Sequence, residues 1–307
     1  MSDGSQTKNI ARSAGTVGIA VFVSRILGLI REQVFAALFG AGYAYDAFVV
    51  AYRIPNLLRD LFAEGALSSA FVAVFTDYKT KKGPQATWSL ANNVITTMIL
   101  IVGAIVLVGA FFSTELVTVI TDRDFSQVPG KLQLTATMTS IMFPFLLFVS
   151  LAAVCMGILN TMGKFFIPAI ASSFFNLGSI IFGVAFSFVA PKLGMQPIVG
   201  MALGVIIGGL LQLLIQLPSL IKLGLRYRPC INLTDPGLRR IMTLMIPAII
   251  GLAAPQITIF INTFFASSCA EGSLSWLQYA FRIMMFPIGF VGVSLSIATM
   301  PVISRHA

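Results

Sequence analysis

Apolar segments of helical length recur along the whole 307-residue chain. A transmembrane helix needs about 20 mostly apolar residues, and the ten-residue alternating pattern typical of a membrane β-barrel does not occur. The composition agrees, because 57% of the residues are hydrophobic and only 10% are charged, with a mean hydropathy of +0.92. A soluble domain carries about a quarter charged residues. We therefore predict an all-α polytopic membrane helix bundle.

Eight transmembrane spans are predicted, at residues 14–39, 44–76, 88–112, 133–160, 165–190, 197–222, 238–266 and 273–303. We divide them between an N-terminal lobe with six spans (1–223) and a second region with a cytoplasmic linker and two spans (224–307). Thr234-Asp235-Pro236 predicts the start of span seven, because Thr or Asp caps a helix and proline suits its first position. Gly204 and Gly208 form a GxxxG pattern typical of close helix packing.

Basic residues outside the spans cluster on alternate loops. With the N-terminus in the cytoplasm, twelve of them fall on cytoplasmic segments and three, Arg123, Lys131 and Lys192, on external loops. This asymmetry follows the positive-inside rule. The net charge of +9 is therefore a topology signal, and we predict a cytoplasmic N-terminus and no nucleic-acid partner.

Five arginines lie inside the predicted spans: Arg25, Arg31, Arg53, Arg59 and Arg282. An arginine at mid-membrane costs roughly 2.5–3.5 kcal/mol on insertion scales, so these side chains must face the protein interior, water or a ligand. Each of the first two spans carries two arginines six residues apart. Because a turn at residues 39–46 makes these spans an antiparallel hairpin, we place Arg25 and Arg59 near mid-membrane and the others in the outer half.

Three acids accompany the arginines: Glu32, Asp60 and Glu64. Structural ion pairing stays open for them, because buried charges in helix bundles often pair. Three acids leave two arginines without a partner, which favours an anion site for phosphate, since guanidinium meets phosphate with bidentate charge-assisted hydrogen bonds. A voltage sensor requires a dense arginine stripe on one helix, and the chain has none.

Enzyme signals are weak. The segment GILNTMGKF at 157–165 departs from a phosphate-binding loop in its glycine spacing and carries Phe where Ser or Thr is required. With His306 as the sole histidine, no Ser-His-Asp set is available, and Cys155, Cys230 and Cys269 lack metal-type spacing. We predict a transporter without cofactor or metal, in which any active transport draws on the membrane potential or a sodium gradient.

Several dense motifs resemble the MurJ/MviN lipid II flippases of bacterial peptidoglycan synthesis. Positions 24–75 hold SRILGLIRE, FGAG, DAF and RIPNLLRDLFAEGALSSAF, and the similarity continues through ILNT, IPA, QLP and PQITIFINTFFAS to GSLSW at 272–276. The resemblance implies a multidrug/oligosaccharidyl-lipid/polysaccharide-type fold in the bacterial inner membrane. Two lobes would surround a cationic cavity that works by alternating access.

The resemblance also implies a substrate and a set of residues. The substrate is lipid II, an undecaprenyl-pyrophosphate-linked disaccharide-pentapeptide, and membrane lipids and other cell-wall synthesis proteins are the further partners. Four residues match the family's cavity arginines: Arg25, Arg31, Arg59 and Arg282. Four more match positions lining the same region: Ser24, Asp46, Asn56 and Glu64. Three are expected to tune its charge: Glu32, Arg53 and Asp60. Asn262 is the one position that offers a ligand for the sodium site of some members.

The chain departs from the family pattern in sequence and in length. Phe281 stands where members usually carry an acid before Arg282, and Met285 stands where an acid or polar residue is common. Ala73 and Ser172 replace common prolines. Since members have about fourteen spans, we expect this chain to hold the first lobe and the opening hairpin of the second. The alternatives are a flippase for another polyprenyl-pyrophosphate glycan such as O-antigen, a cation-coupled drug exporter, and an inactive truncated fragment.

Overall fold

The computed structural model describes residues 3–285 and 287, and among them the side chains of all but residues 3–14 and 62–65. This part of the chain is helical and contains no strand. Its helices are α1 (Asp3–Phe39), α2 (Tyr43–Arg59), α3 (Ser68–Lys81), α4 (Gly83–Phe111), α5 (Ser113–Ile120), α6 (Arg123–Gln127), α7 (Lys131–Thr161), α8 (Phe166–Val189), α9 (Val199–Leu214), α10 (Leu217–Lys222), α11 (Pro236–Ser267) and α12 (273–285).

Five helical segments of the described chain are long and apolar enough to cross a membrane: Gly83–Phe111, Lys131–Thr161, Phe166–Leu193, Val199–Lys222 and Pro236–Ser267. They correspond to predicted spans three to seven, with ends that agree to within five residues. The polytopic helical membrane bundle is therefore confirmed. The count of eight spans and the boundary after residue 223 stay predictions, and most of span eight lies outside the described residues.

The first two predicted spans form the expected hairpin, α1 followed by α2. Its turn is shorter than the predicted 39–46, because α2 already begins at Tyr43. Gly40 adopts a φ of 63° there, a conformation that glycine reaches without steric cost. Phe35 of α1 packs edge-on against Phe48 of α2, with ring centroids 5.3 Å apart, so aromatic contacts hold the two helices together beside the turn.

A π-helical segment, Asp60–Leu67, joins α2 to α3 without a break. Segments with this wider hydrogen-bond spacing are rare and often lie at functional sites. It begins at Asp60, directly after Arg59. The change in helical geometry therefore coincides with one of the arginine–carboxylate pairs found in the sequence.

Glycines allow α8 and α9 to pack closely. A Cβ atom added to Gly204 would lie 2.5 Å from the Cα atom of Gly183, and one added to Gly208 would lie 2.5 Å from the carbonyl oxygen of Phe175. Both distances are too short for real side-chain atoms. The prediction that the GxxxG pattern serves helix packing is confirmed.

The linker between α10 and α11 is fastened to α4 by side-chain amides. The Asn93 Nδ2 atom donates to the Asn232 carbonyl oxygen, and the Asn232 backbone N–H donates to the Asn93 Oδ1 atom, both at 2.9 Å. Beyond it, the Asp235 Oδ1 atom accepts from the Leu238 backbone N–H at 2.9 Å, and Pro236 is the first residue of α11. The predicted start of span seven is confirmed.

Candidate functional site

A cavity of about 890 Å³ lies between α1, α2, α8 and α12, with walls completed by α7, α9 and α11. Its volume falls in the range of about 300–1,000 Å³ typical of small-molecule sites. All five arginines predicted from the sequence line it, and so do Glu32 and Asp60. The described lining residues therefore carry an excess of three positive charges. We call the end beside residues 40–42 the turn end and the opposite end, where α7 ends and α8 begins, the far end.

Glu32 joins two arginines at the turn end. Its Oε1 atom accepts hydrogen bonds from Arg31 Nη2 at 2.9 Å and Arg282 Nη2 at 3.1 Å, and its Oε2 atom accepts one from the Tyr45 hydroxyl at 2.8 Å. One carboxylate thus serves two guanidinium groups, and the cluster keeps a net positive charge. The Nε atoms of Arg31 and Arg282 are buried and have no hydrogen-bond partner among the described residues.

Contacts between α12 and the α1–α2 turn close the turn end. The Tyr279 ring stacks on the Tyr45 ring with centroids 4.9 Å apart, and the Tyr279 hydroxyl donates to the Gly40 carbonyl oxygen at 2.7 Å. The Tyr43 backbone N–H donates to the Glu271 Oε1 atom at 2.9 Å. These three contacts connect the two regions that we separated at residue 223 from the sequence.

Asp46 lies within this closed end and is only 2% exposed. It is not among the residues on the cavity wall. Its Oδ1 atom accepts from the Ser275 N–H at 2.9 Å and the Ser275 hydroxyl at 2.6 Å, and its Oδ2 atom accepts from the Gly272 N–H at 2.8 Å. Lys131 Nζ donates to the same Oδ2 atom at 3.3 Å. Four donors fill the capacity of a carboxylate.

Lys131 requires a correction. We assigned it to an external loop, but it is the first residue of α7 and is 4% exposed. Its ammonium also lies 4.7 Å from the centroid of the Phe125 ring, a distance at which a cation is attracted to an aromatic face. A lysine next to a predicted span boundary is indistinguishable in the sequence from a solvated one, because its burial depends on the distant Asp46.

Arg59 is paired with its neighbour Asp60. The Asp60 Oδ1 atom accepts from Arg59 Nε at 3.1 Å and from Arg59 Nη2 at 2.8 Å. The Asp60 Oδ2 atom accepts from Asn56 Nδ2 at 3.3 Å and, at 3.5 Å, from Gln256 Nε2 of α11. Asn56, one of the predicted lining residues, therefore orients the Asp60 carboxylate, and Asn56 itself lines the cavity.

Arg25 and Arg53 have no carboxylate partner among the described residues. Arg25 is exposed on the cavity wall. Arg53 Nη2 donates to the neutral Gln278 Oε1 atom at 3.3 Å, and its buried Nε atom has no hydrogen-bond partner in the described part of the chain. The sequence predicts two arginines without an acidic partner, and in the described residues these are Arg25 and Arg53.

Asn176 fixes the level of α1 against α8. Its Nδ2 atom donates to the carbonyl oxygens of Ser24 at 3.1 Å and Ser172 at 3.2 Å. The predicted position Ser24 lines the cavity, directly before Arg25. The ring of Phe175, the residue before Asn176 on α8, lies 5.3 Å from the Arg31 guanidinium carbon. α8 therefore positions both arginines of α1.

The remaining predicted positions are less informative. The Glu64 side chain lies outside the described residues. Asn262 is exposed on α11 and is absent from the cavity wall, and the described chain contains no group of three or more His, Cys, Asp or Glu residues that would hold a metal ion. The sodium site stays a prediction. Phe281 and Met285 line the cavity beside Arg282.

Three residues that the sequence argument did not single out have roles in this geometry: Tyr45, Asn176 and Gln278. Each is a polar side chain inside or beside an apolar span, and this was the available signal. A polar residue in an apolar segment does not show which partner it will contact. In the structure, Tyr45 bonds to Glu32, Asn176 to Ser24 and Gln278 to Arg53. These contacts join residues that are 13 to 225 positions apart.

Comparison with known proteins points to one family. A family model described as "Lipid II flippase MurJ" matches residues 35–307. A probable lipid II flippase MurJ of Vibrio cholerae is 38% identical over 305 residues, which cover 97% of this chain and 57% of that relative. One from Buchnera aphidicola (Schizaphis graminum) is 40% identical over 289 residues, covering 94% and 55%.

A solved structure gives the same result. The structure described as "Lipid II flippase MurJ, inward closed conformation" superposes with a TM-score of 0.75 at 31% identity, covering 94% of this chain and 58% of the other. The chain spans about half the length of the curated relatives it matches. The family match covers far more than half of the chain, and it includes Arg53, Arg59 and Arg282 of the cavity wall. The chain belongs to the lipid II flippase MurJ family.

Proposed function

We propose that the cavity binds the pyrophosphate of lipid II and that the protein takes part in moving this lipid from the cytoplasmic to the periplasmic leaflet of the bacterial inner membrane. The observation that carries the proposal is the excess of arginine over carboxylate on the cavity wall. In a medium of low dielectric constant, unpaired positive charges attract an anion strongly. A pyrophosphate supplies several acceptor oxygens within a few ångströms of each other.

The unused hydrogen-bond donors favour an anion over a structural role for all five arginines. The Nε atoms of Arg31, Arg53 and Arg282 are buried without a partner in the described chain. A buried donor left unsatisfied costs about 1–3 kcal/mol, so three of them on one cavity wall support a ligand with several acceptors. Phosphate groups meet guanidinium in a bidentate geometry that ammonium does not provide.

The closed turn end supports alternating access as the mechanism. Asp46, Tyr45 and Tyr279 hold α12 against the α1–α2 turn, and the basic-residue asymmetry of the sequence supports an external position for this turn. The conformation therefore corresponds to a cavity shut toward the periplasm. Lipid II would enter from the cytoplasmic side, and release would require the turn-end contacts to separate.

The energy source and further partners belong to the same proposal. We propose coupling to the membrane potential or to a sodium gradient, with Asn262 as the candidate sodium ligand. Membrane lipids surround the protein, and other cell-wall synthesis proteins are proposed partners. A cation-coupled drug exporter is disfavoured by the arginine excess, since such a protein is expected to have a cavity in which acids dominate.

A binding measurement on the 307-residue protein tests the proposal. In native mass spectrometry, we expect lipid II and undecaprenyl pyrophosphate to be retained in preference to phosphatidylethanolamine. Arg25→Ala removes a charged donor worth about 1.5–3 kcal/mol, so affinity for both pyrophosphate lipids should fall about 10- to 100-fold. Arg25→Lys should restore it only partly, because lysine lacks the planar fork.

The matched control is Arg228→Ala, which removes an exposed arginine of the linker, away from the cavity wall. It should leave binding unchanged. Equal retention of phosphatidylethanolamine and lipid II by the unmodified protein would contradict the anion site. Equal losses in Arg25→Ala and Arg228→Ala would show that net charge alone, and not the cavity, attracts the lipid.

A further inference from the structure

A second cavity lies apart from the arginine-lined one, between the start of α5 and the first three turns of α7. Its volume is about 410 Å³. The two cavities share no lining residue, so the proposed pyrophosphate site does not account for it. None of its described lining residues is charged. Five of them carry a hydroxyl or amide side chain: Ser113, Thr114, Gln133, Thr137 and Ser140.

Two of these hydroxyl groups are unused. Ser113 is the first residue of α5 and is only 7% exposed, yet its hydroxyl forms no hydrogen bond with any described residue. The Ser113 oxygen is not among the fully enclosed unpartnered atoms, so it reaches the cavity that Ser113 lines. The same holds for the partly buried Ser140 of α7. Each hydroxyl offers one donor and two acceptor lone pairs, and the cavity therefore presents free hydrogen-bonding groups from two helices.

The start of α5 adds backbone donors to the same cavity. No side chain caps this helix. The Leu116 N–H donates to the Phe112 carbonyl oxygen at 3.0 Å, whereas the N–H groups of Ser113 and Thr114 have no intrahelical partner. Free N–H groups and the helix dipole favour a phosphate at such a position. The unpaired Ser113 hydroxyl beside them is a further donor for a phosphate oxygen.

The cavity lies at the level where an apolar span ends. The span of α4 ends at Phe111, two residues before Ser113, and Gly109 of α4 lies against the Phe143 ring of α7, which brings Ser140 to a similar level. Within two turns before Ser113, α4 exposes large apolar side chains, among them Leu107 and Phe111. Lipid headgroups begin where the hydrocarbon ends. A phosphate in this cavity would therefore have an apolar helix surface beside it for the acyl chains of a lipid.

An acid next to the cavity selects among lipid headgroups. Glu115 is exposed in the first turn of α5, two residues after Ser113. Because no lysine or arginine is among the described lining residues, a headgroup with a net negative charge would be repelled without compensation. Phosphatidylethanolamine carries no net charge. Its phosphate matches the donors at the start of α5, and its ammonium group matches the Glu115 carboxylate.

We propose that the cavity between α5 and α7 binds the headgroup of phosphatidylethanolamine in the leaflet at the turn end. The lipid would fasten the start of α5 to α7, while Asp122, just after α5, is already held by the hydrogen bond from its N–H to Ser267 Oγ of α11 at 2.7 Å. This inference does not rest on the proposed function. Neutral hydrogen bonds contribute less than charged ones, so the preference of the whole protein for pyrophosphate lipids is still expected.

The test titrates lipids into the 307-residue protein and follows binding by native mass spectrometry. The probes are phosphatidylethanolamine, phosphatidylglycerol and, as a competitor, inorganic phosphate. Ser113→Ala/Ser140→Ala removes two hydrogen-bonding groups, so the affinity for phosphatidylethanolamine should fall roughly tenfold, while lipid II binding stays unchanged. Thr118→Ala is the matched control, because this exposed hydroxyl of α5 already donates to the Glu115 carbonyl oxygen at 2.7 Å and lies outside the cavity wall.

The headgroup assignment has its own arm. The unmodified protein should bind phosphatidylethanolamine more tightly than phosphatidylglycerol, and Glu115→Gln should narrow this difference. Equal binding of the two lipids by the unmodified protein would overturn the assignment. Displacement of the lipid by an equal concentration of inorganic phosphate would also overturn it, since the cavity would then be a site for a free anion.

The remaining outcomes decide whether the cavity is a site at all. An unchanged affinity for phosphatidylethanolamine in Ser113→Ala/Ser140→Ala, or an equal loss in Thr118→Ala, refutes it. Should the double variant not fold, Gln133→Leu changes an exposed lining residue and gives the same comparison. If the unmodified protein fails to bind lipid II while its binding of phosphatidylethanolamine depends on Ser113 and Ser140, the proposed function fails and this site is supported.

Discussion

Two groups of charges in the bundle differ in how far their hydrogen-bonding capacity is used. At the turn end, Asp46 accepts four hydrogen bonds and is 2% exposed. On the cavity wall, Arg25 has no partner and Arg53 bonds only to the neutral Gln278 among the described residues. A buried charged group whose hydrogen-bonding capacity is fully used stabilises one conformation, whereas a charged group with unused donors is available to bind a ligand.

The difference follows from what a buried charge costs. Removing one partner of a buried ion pair typically costs about 3–5 kcal/mol, so evolution of a structural charge favours a complete set of partners. A charged residue that binds a ligand must keep hydrogen-bond donors free. The ligand-free protein is therefore less stable than it would be if those donors had partners within the protein. Arg59 is intermediate, because it binds Asp60 with two nitrogens and also lines the cavity.

The largest effect on stability is expected for Asp46. Asp46→Ala leaves Lys131 buried beside the unsatisfied N–H groups of Gly272 and Ser275, and we expect a loss of about 3–5 kcal/mol. The double variant Asp46→Ala/Lys131→Met removes the orphaned ammonium and should recover part of this loss. The measurement is the thermal unfolding midpoint in detergent, followed for each variant under the same conditions.

Glu115→Ala provides the matched control, because Glu115 is an exposed acid of α5 near the same end of the bundle. It should change the midpoint little, as surface substitutions usually lie within about 0.5 kcal/mol. An Asp46→Ala protein that unfolds at the same temperature as the control would contradict the view that the turn end is held by saturated charges.

A smaller stability effect is expected for Arg59, and none for Arg25. Arg59→Ala leaves Asp60 without its two charged hydrogen bonds, at an expected cost of about 1–3 kcal/mol. Arg59→Ala/Asp60→Ala should recover it. Arg25→Ala removes no described hydrogen bond and should unfold like the unmodified protein, or slightly later through reduced repulsion. The same unfolding measurement ranks all three variants.

Binding then separates the two arginines further. If Arg59 serves only Asp60, the double variant should recover lipid II binding along with stability. If Arg59 also contacts the pyrophosphate, stability should return while binding stays weak. Recovery of both would remove Arg59 from the binding set that the sequence assigned to it, and would leave Arg25 as the clearest binding residue.

The helices were predictable from sequence because their cause is local. Apolar runs of about 20 residues have to satisfy their backbone groups internally, and caps such as Asp235-Pro236 mark their ends chemically. Five spans agree with the structure to within five residues. The π-helical segment at Asp60–Leu67 was not predicted, since the same apolar sequence pattern is compatible with an α-helix and with a π-helix.

The presence of the arginines on the cavity wall was also predictable, because an arginine in an apolar span is too costly to expose to lipid and must face the protein interior, water or a ligand. The pairing within it was not. The sequence leaves open which arginine each acid pairs with, and Glu32 binds both the adjacent Arg31 and Arg282, 250 positions away. Asp46 was assigned to the lining of the cavity by resemblance, and it bonds to Gly272 and Ser275 instead. Such contacts form only because α2 packs against α12 in the folded protein, and no local sequence pattern predicts that packing.

The smallest effect is expected for an ion-pair group outside the spans. Asp77 of α3 contacts Lys81 Nζ at 2.6 Å and Arg240 Nη1 of α11 at 3.2 Å. The hydrogen bond from Lys81, with a further contribution from the Arg240 charge, lowers the pKa of Asp77 below its ordinary value. Water and salt screen such a pair, so its contribution is small compared with that of Asp46.

The sign of the pH dependence follows from the lowered pKa. A carboxylate with a lower pKa in the folded protein stabilises it above the unfolded value of about 3.9, and this contribution disappears as the pH falls through the folded value. The unfolding midpoint of Asp77→Asn should therefore lie slightly below that of the unmodified protein from pH 8 to about pH 5. The gap should close as the pH falls below the unfolded value and through the lower folded one, or in high salt. Asp124→Asn, which changes an exposed acid of α6, should show a smaller gap. If the gap at Asp77 persists at low pH and high salt, the contact depends on packing rather than charge, and Asp77 then belongs with the turn end rather than with the solvated surface.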